Sequence, residues 1–149
     1  MKNDQFWMQQ ALLQAEQAYA MQEVPVGAVL VLEGEIIGRG RNAMIAQCDP
    51  TAHAEIQAIR AACQQQNNYR LPNSTLYVTL EPCPMCASAI IHSRIARVVY
   101  AASEPKTGAV SSAFTFFDEN RFNHKVTYSA GLLAHESSAL LRQFFRLRR

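Results

Sequence analysis

Three side chains from two short stretches of the sequence have the types and spacing of a metal-binding set. Cys83 and Cys86 form a C-x-x-C pair, and His53 lies upstream in a separate segment. A structural zinc site is closed by four protein ligands, whereas a catalytic zinc site has three and keeps one position for water. One histidine with two cysteines therefore predicts a catalytic zinc centre, with one ion per subunit.

Glu55 lies two residues after His53 and adds a proton-transfer group to this set. Zinc lowers the pKa of a bound water from 15.7 to about 7, but two thiolates would cancel much of the ion's charge and weaken this effect. A carboxylate that accepts the water's proton and passes it on would compensate. A site of this kind attacks an electron-poor carbon that carries a leaving amine.

Each half of this centre is predicted to lie at the start of a helix. Residues 52–65 have helical periodicity, which places His53 and Glu55 in a first turn. A second helix is predicted from Cys83 to about Ser93, with a proline just after the cysteine, where a first-turn proline is favoured. Because Glu55 lies about 200° around an ideal helix from His53, the two side chains can converge only at a helix end. We therefore expect two helix N-termini to face each other across the metal.

Four other side chains bear on whether the fourth metal position is closed. His92 and Cys63 lie about 9 Å and about 15 Å along their helices from the predicted ligands, and a regular helix excludes them. Cys48 and His124 fall in predicted loops, where geometry leaves them open as ligands. Water is the favoured fourth ligand.

The rest of the chain alternates between predicted helices and strands. One helix begins at Asn3 or Asp4 and continues to about Gln22, and an amphipathic helix runs from Gly131 to the C-terminus. The other predicted elements are a hairpin over 26–41, a loop over 42–50, strands at 75–80, 96–101 and 125–128, and a short helix within 113–118. Strands that alternate with helices favour a three-layer α/β fold in one domain, residues 1–149.

Two features of the predicted hairpin bear on how it packs. Its first strand, 26–32, is a continuous apolar run, which indicates burial on both faces. Gly38 and Gly40 lie two residues apart and so share one face of the second strand. Glycines on one face leave room for another group to approach the backbone closely.

The composition is that of an ordinary globular protein. Of 149 residues, 49% are hydrophobic and 17% are charged, and the net charge of +2 is too small to identify a polyanionic partner. No apolar run approaches the ~20 residues needed to cross a bilayer, and the N-terminus lacks the apolar core of a signal peptide. We expect a cytoplasmic protein with no membrane partner, in which the cysteines are thiols or metal ligands rather than disulfides.

The paired motifs H-x-E and P-C-x-x-C resemble the signature of the zinc-dependent nucleobase deaminases. The surrounding sequence is similar to the bacterial tRNA-specific adenosine deaminases, a family of the cytidine and deoxycytidylate deaminase superfamily. The similar stretches are 23–29, Asn42, 49–55, 69–71, 76–83, 92–95 and 106–108. This resemblance implies a three-layer α/β/α cytidine-deaminase-like fold, with a five-stranded mixed sheet flanked by helices.

The resemblance also implies an activity, which is hydrolytic conversion of adenosine to inosine at the wobble position of a tRNA anticodon by a zinc-dependent homodimer. In that reaction a hydroxide formed at the zinc attacks C6, and Glu55 shuttles protons. The implied zinc ligands are His53, Cys83 and Cys86. The implied substrate contacts are Asn42, Ala54, Leu80 and Pro82. The implied contacts to the tRNA anticodon loop are Glu104, Lys106, Phe145, Arg146 and Arg148.

Two segments bear on binding of RNA. Residues 103–105 read Ser-Glu-Pro in place of the Arg-Asp-Ala typical of the family, in a loop that touches RNA there. The C-terminal arginines either form a solvated helix end favoured by the helix dipole or clamp phosphates, and the resemblance favours the second. These arginines are Arg142, Arg146, Arg148 and Arg149. Phe144 is expected in the core, whereas Phe145 is equally consistent with the core and with base stacking.

Three other functions remain open at this point. The first is deamination of a free base or nucleoside of the guanine or cytosine type. The second is a nucleic-acid-binding module in which zinc has four protein ligands and a purely structural role. The third is a thiol redox protein that uses Cys83 and Cys86.

Overall fold

The apolar and β-branched segments of the chain form one five-stranded sheet in the computed structural model, which describes residues 2–148. The strands are β1 (Gly27–Leu32), β2 (Glu35–Arg41), β3 (Thr75–Leu80), β4 (Arg97–Ala102) and β5 (Thr127–Ala130), in the spatial order β2-β1-β3-β4-β5. β1 pairs antiparallel with β2 and β3, whereas β3–β4 and β4–β5 are parallel. The predicted five-stranded mixed sheet is confirmed.

Helices cover both faces of this sheet. They are α1 (Asp4–Ala20), α2 (Met44–Gln47), α3 (Ala54–Gln66), α4 (Pro84–His92) and α5 (Ala134–Arg146), with a 3-10 turn at Phe116–Asp118. α1 and α5 pack on one face. α3 and α4 pack on the other face, where the larger apolar core lies. The three-layer α/β/α arrangement is therefore also confirmed.

The strand β1 lies inside the sheet because its residues are apolar on both faces. Val29 and Val31 point to the core under α1, where they meet Trp7 and Met8. The intervening Ala28 and Leu30 point to the core under α3 and α4. Five of the six β1 residues are buried, as the continuous apolar run predicts.

The glycines of β2 set the position of α3. A Cβ atom on Gly40 would lie 2.1 Å from the carbonyl oxygen of Ala54, and one on Gly38 would lie 2.4 Å from that of Ala58. The backbone of α3 therefore packs directly on β2, and this is the close approach that the sequence predicts. The contact holds the N-terminal end of α3, which follows His53, against the sheet.

Several predicted boundaries differ in the structure. The strand predicted at 96–101 is Arg97–Ala102, and the helix predicted from Gly131 begins at Ala134. The predicted loop over 42–50 contains α2, a helix of four residues that is too short to show periodicity. The buried carboxylate of Glu23 stabilises this helix, because it accepts hydrogen bonds from the backbone N–H groups of Ile45 (3.2 Å) and Ala46 (2.8 Å). The helix predicted from residue 52 begins at Ala54. The last strand is Thr127–Ala130 rather than 125–128, because an edge strand with exposed side chains has a weak apolar pattern. Within residues 2–148, no helix combines the length and the apolar character needed to cross a membrane.

Candidate metal centre

Two helix N-termini meet on the α3–α4 side of the sheet. His53 is the N-cap residue of α3, and Cys83 is the N-cap residue of α4, so each lies one position outside the first turn in which the sequence pattern placed it. Nδ1 of His53 lies 3.7 Å from Sγ of Cys83 and 3.5 Å from Sγ of Cys86. The expectation that two helix ends face each other is confirmed.

The spacing of these three atoms fits a zinc ion. Zn–S bonds of about 2.3 Å and Zn–N bonds of about 2.0–2.1 Å in a tetrahedron place sulfur and nitrogen about 3.6 Å apart. The donors of His53, Cys83 and Cys86 all lie within 4.8 Å of one another. The structure thus brings the three predicted ligands together at distances that suit zinc.

The two loop residues left open as a fourth ligand lie outside this group. The thiol of Cys48 is exposed and donates to the carbonyl of Ile45 over 3.8 Å. The ring of His124 is hydrogen-bonded through Nε2 to the carbonyl oxygen of Ile95 at 2.7 Å. Among residues 2–148, three side-chain donors therefore form the centre, which is the number found in catalytic zinc sites.

The two cysteines differ in charge before a metal binds. The thiol of Cys86 donates to the sulfur of Cys83 and lowers the pKa of Cys83 to about 4, with a further contribution from His53. The same hydrogen bond, together with burial, raises the pKa of Cys86 far above its usual range. The hydrogen bond to Cys83 in turn raises the pKa of His53. At neutral pH the metal-free centre therefore contains one thiolate and one thiol.

Glu55 lies in the first turn of α3, and its side chain is only 4% exposed. Burial raises the pKa of this carboxyl group to about 7, and the nearby Cys83 thiolate acts in the same direction. A general acid–base group is most effective when its pKa lies near the working pH. The Glu55 carboxyl can therefore both take up and release a proton at neutral pH.

Asn42 is buried beside the same helix end. Its Oδ1 accepts a hydrogen bond from the backbone N–H of Ala54 at 2.8 Å. Because this donor fixes which side of the amide faces the helix, the NH₂ group points away from it. The Asn42 NH₂ group thus remains as a hydrogen-bond donor for a ligand, whereas the Ala54 N–H is already used.

The remaining predicted substrate and RNA contacts fall into two groups. Leu80, Glu104 and Phe145 line one cavity of about 380 Å³ between the end of β3 and α5. Lys106 is exposed on the same loop as Glu104, and Pro82 is buried. The structure does not place Lys106 in that cavity.

The aromatic and arginine side chains near the C-terminus differ in how free they are to contact RNA. Phe144 is buried, as expected, and Phe145 is 48% exposed. Arg146 lines a second cavity, of about 490 Å³, with Arg142 and Phe145. Arg148 instead lies over the ring of Phe144 at 3.5 Å and donates to its carbonyl oxygen. Arg149 lies outside the described residues.

Two buried glutamates near the centre have structural contacts that the sequence reasoning missed. Glu23 binds the N-terminus of α2, and Glu81, next to Pro82, binds the backbone of residues 104–112. Both side chains are 2% exposed. The only available signal was an acidic residue inside or beside an apolar segment, which does not by itself indicate burial.

Comparison with known proteins gives the family. Residues 1–102 match the family profile of the cytidine and deoxycytidylate deaminase zinc-binding region. The chain belongs to this deaminase family. Members of the family bind zinc in this region, which agrees with the donor geometry of His53, Cys83 and Cys86.

Relatives share most of their length with the chain. It is 55% identical to the tRNA-specific adenosine deaminase of Haemophilus influenzae over 98% of this chain and 85% of that protein. It is 49% identical to the enzyme of the same name from Agrobacterium fabrum, over 96% and 94%. A solved structure from a study of tRNA:A34 deaminases and A-to-I editing at the wobble position of transfer RNA has 47% identity and a TM-score of 0.88, over 91% of this chain and 99% of that chain. The guanine deaminase of Bacillus subtilis has 33% identity and a TM-score of 0.68, over 98% and 95%.

Zinc affinity is expected to rise with pH, because binding converts the Cys86 thiol to a thiolate and releases its proton. With the pKa of Cys86 raised and that of Cys83 already low, at least one proton is released near neutral pH, and His53, whose pKa is also raised, releases another wherever its ring is protonated. The dissociation constant should therefore fall about tenfold or more per pH unit near neutral pH. Competition against a chromogenic chelator at several pH values measures this slope. A flat affinity would show that both sulfurs are already ionised in the metal-free protein.

Proposed function

We propose that this protein hydrolyses adenosine to inosine at the wobble position of a tRNA anticodon. The observation that carries the proposal is identity of 43–55% to tRNA-specific adenosine deaminases over nearly the whole chain, including α5. The geometry agrees with it, because a three-donor metal centre lies beside a buried carboxyl group. We also propose that residues 1–149 form a single deaminase domain, since both apolar cores pack on one sheet.

The residues around the metal have distinct roles in this proposal. His53, Cys83 and Cys86 hold the zinc, which when bound lowers the pKa of a water to about 7 and so makes a nucleophile available at neutral pH. Glu55 takes a proton from the attacking water and delivers it to the purine ring nitrogen. A second transfer by Glu55 goes to the departing amine. The proton for this second transfer comes from the hydroxyl group now bonded to C6. A C6–O bond forms and the C6–N bond breaks, so that water and adenosine give inosine and ammonia and the carboxylate is restored.

Asn42 orients the base. Its Oδ1 is bound to the helix α3 backbone, so only its NH₂ group is available, and this group donates to an acceptor on the purine edge. Pro82, Ala54 and Leu80 supply the apolar walls around the ring. Pro82 is buried, and its carbonyl oxygen accepts a hydrogen bond from the backbone N–H of Ala109. A donor from Asn42 requires an acceptor on the substrate, which a purine ring nitrogen provides.

The RNA reaches this site as a loop with its base turned out. Single-stranded loop nucleotides can be splayed at modest cost, and enzymes that act on a base require this. The cavity formed by Leu80, Glu104 and Phe145 lies at the end of β3, next to the segment that carries Cys83, and we propose that it receives part of the loop. We propose that Lys106, Arg146 and Arg148 supply positive charge for the RNA backbone. A tRNA substrate supports a location in the cytoplasm.

A homodimer is part of the proposed function. The Phe116–Asp118 turn packs against α4. A groove of about 580 Å³ is lined there by Phe114, Phe116 and Phe122, with Thr115, Glu119 and Arg121 beside them. Phe114 is 47% exposed. Exposed apolar patches of this kind are typical of interaction surfaces. We propose that a second copy of the chain covers this groove.

The substrate is tested with an anticodon stem-loop that carries adenosine at the wobble position, offered beside free adenosine, cytosine and guanine. We expect inosine in the stem-loop and no turnover of the free compounds. The guanine arm matters because a guanine deaminase has a similar fold at 33% identity. Turnover of a free base alone would replace the tRNA proposal with that one.

The same assay tests the proton shuttle. Glu55→Ala should retain stoichiometric zinc, since the carboxylate is not a metal ligand, and should lower kcat by about 10²–10⁴-fold, the usual contribution of general acid–base catalysis. Zinc content is measured by atomic absorption on the same sample. A variant with near wild-type turnover would show that another group moves the proton.

Binding of the stem-loop should weaken as salt rises, because arginine–phosphate contacts release counterions. Arg142→Ala and Arg146→Ala should each reduce the slope of log K against log salt by about one. Fluorescence anisotropy across a salt series gives the slope. Arg60→Ala removes an exposed arginine on α3 that pairs with Asp49 at 3.8 Å; it serves as the control and should leave the slope unchanged. Equal slopes for all variants would place the phosphates elsewhere.

Phe114→Glu should shift the protein from dimer to monomer, because the contact would then have to bury a carboxylate among aromatic side chains. Sedimentation velocity at several concentrations measures the state. Tyr69→Glu is the control, since Tyr69 is an exposed aromatic residue far from the groove in sequence, and it should remain dimeric. A wild-type protein that sediments as a monomer throughout would remove the dimer from the proposal.

A further inference from the structure

Glu81 is a buried carboxylate surrounded by donors from one loop. It lies just after β3 and two residues before Cys83, with its side chain 2% exposed. We define residues 103–112 as the clamped loop. Oε2 of Glu81 accepts from the backbone N–H groups of Val110 (3.1 Å), Ser111 (2.8 Å) and Ser112 (3.1 Å).

The other carboxylate oxygen holds both ends of the same loop. Oε1 accepts from the backbone N–H of Glu104 at 3.0 Å and from the hydroxyl of Ser112. In addition, the carbonyl oxygen of Pro82 accepts from the backbone N–H of Ala109 at 2.8 Å. The loop is therefore fastened to residues 81–82, the segment that leads into the metal-binding cysteines.

The packing around this carboxylate leaves no space for a larger loop residue. A Cβ atom on Gly108 would lie 2.4 Å from the carboxyl carbon and from Oε1 of Glu81. Gly108 also donates its N–H to the carbonyl oxygen of Glu104 at 2.8 Å. Gly108 and Glu81 are therefore in direct contact, and a substitution at either residue should disturb the loop.

Five donors converge on the Glu81 carboxylate. They are four backbone N–H groups, of Glu104, Val110, Ser111 and Ser112, and the hydroxyl of Ser112. Backbone N–H groups that point at one carboxylate form strong charge-assisted hydrogen bonds. The loop conformation thus depends on a negative charge, since a neutral side chain would satisfy fewer of these donors.

We propose that Glu81 is a positioning residue, which fixes the clamped loop so that Glu104 and Lys106 meet the tRNA. This inference rests on the proposed function and assigns Glu81 to RNA affinity rather than to the chemical step. Glu104 is the link, because its backbone is bound to Glu81 while it lines the cavity with Leu80 and Phe145. The proton shuttle Glu55 lies in the first turn of α3 and the ligand His53 is its N-cap residue, whereas the hydrogen bonds of the Glu81 carboxylate go to the clamped loop.

Glu81→Gln is the informative substitution, because it keeps the shape and removes one acceptor oxygen. Whichever way the amide is turned, its NH₂ group faces backbone N–H donors that then lack a partner. We expect KM for the stem-loop to rise by about tenfold or more and kcat to stay within about threefold, since the lost contacts involve binding alone. Zinc content should remain at one per subunit. Amide hydrogen exchange at Glu104 and at residues 110–112 should become faster, while exchange in β1 and β3 is unchanged.

Two further variants separate positioning from general damage to the fold. Gly108→Ala pushes on the carboxylate from the loop side and should reproduce the rise in KM. It also supplies the test if Glu81→Gln does not fold. Glu35→Gln makes the same change of charge on the exposed end of the hairpin and should behave as wild type.

Each outcome decides the inference. A wild-type KM in both Glu81→Gln and Gly108→Ala, with faster loop exchange, would overturn the link between the loop and RNA affinity. A fall in kcat at constant KM would overturn it as well, because that pattern belongs to the chemical step. If wild-type protein binds and deaminates no stem-loop, the proposed function fails, and the role in RNA affinity fails with it. Unchanged amide hydrogen exchange at Glu104 in both variants would show that Glu81 does not fix the loop.

Discussion

The convergence of two helix N-termini on one point is the constraint that the rest of the structure satisfies. His53 and Cys83 can approach to 3.7 Å only because α3 and α4 begin beside each other on one face of the sheet. α4 takes its place from β3, which immediately precedes it. α3 takes its place from direct backbone packing on β2, where Gly40 has no side chain to keep the helix away. Helix N-termini also favour thiolate over thiol, so the geometry and the charge required for zinc arise together.

Three buried glutamates near the centre show how the same side chain acquires different functions. Glu23 and Glu81 accept hydrogen bonds from backbone N–H groups of distant segments. Glu23 stabilises the start of α2, and Glu81 stabilises the loop over residues 103–112. Glu55 has no such segment to bind, and its neighbours are instead the sulfur of Cys86 and the charge of Cys83. Because its burial is not offset by several donors, its pKa rises, whereas that of Glu81 falls. The number of hydrogen-bond donors around each carboxylate therefore distinguishes Glu55, which can exchange protons at neutral pH, from Glu81, which cannot.

Features that depend on neighbouring residues could be predicted from the sequence, whereas contacts between residues far apart along the chain could not. The three predicted metal donors were chosen from residue types and spacing, because a zinc centre requires those types whatever the surrounding fold, and the structure brings them together. The individual strands and main helices followed from apolar periodicity, whereas the five-stranded mixed sheet was implied by the family resemblance. α2 was missed because four residues are too few to show a period, and its stabilising partner, Glu23, lies more than twenty residues earlier. The contacts of Glu81 were missed for the same reason, since they join positions 23 to 31 residues apart.

The pairing of one thiolate with one thiol has a consequence for the protein's durability. Cys83 is ionised before metal binds, and the Cys86 thiol donates to it, so an attacking sulfur and a second sulfur are already side by side. Such a pair is readily oxidised to a disulfide. A bound ion occupies both sulfurs and shields them from peroxide. Loss of the metal in air would thus be followed by a disulfide that blocks rebinding until it is reduced, so stored enzyme should be kept with a reductant and an adequate supply of zinc.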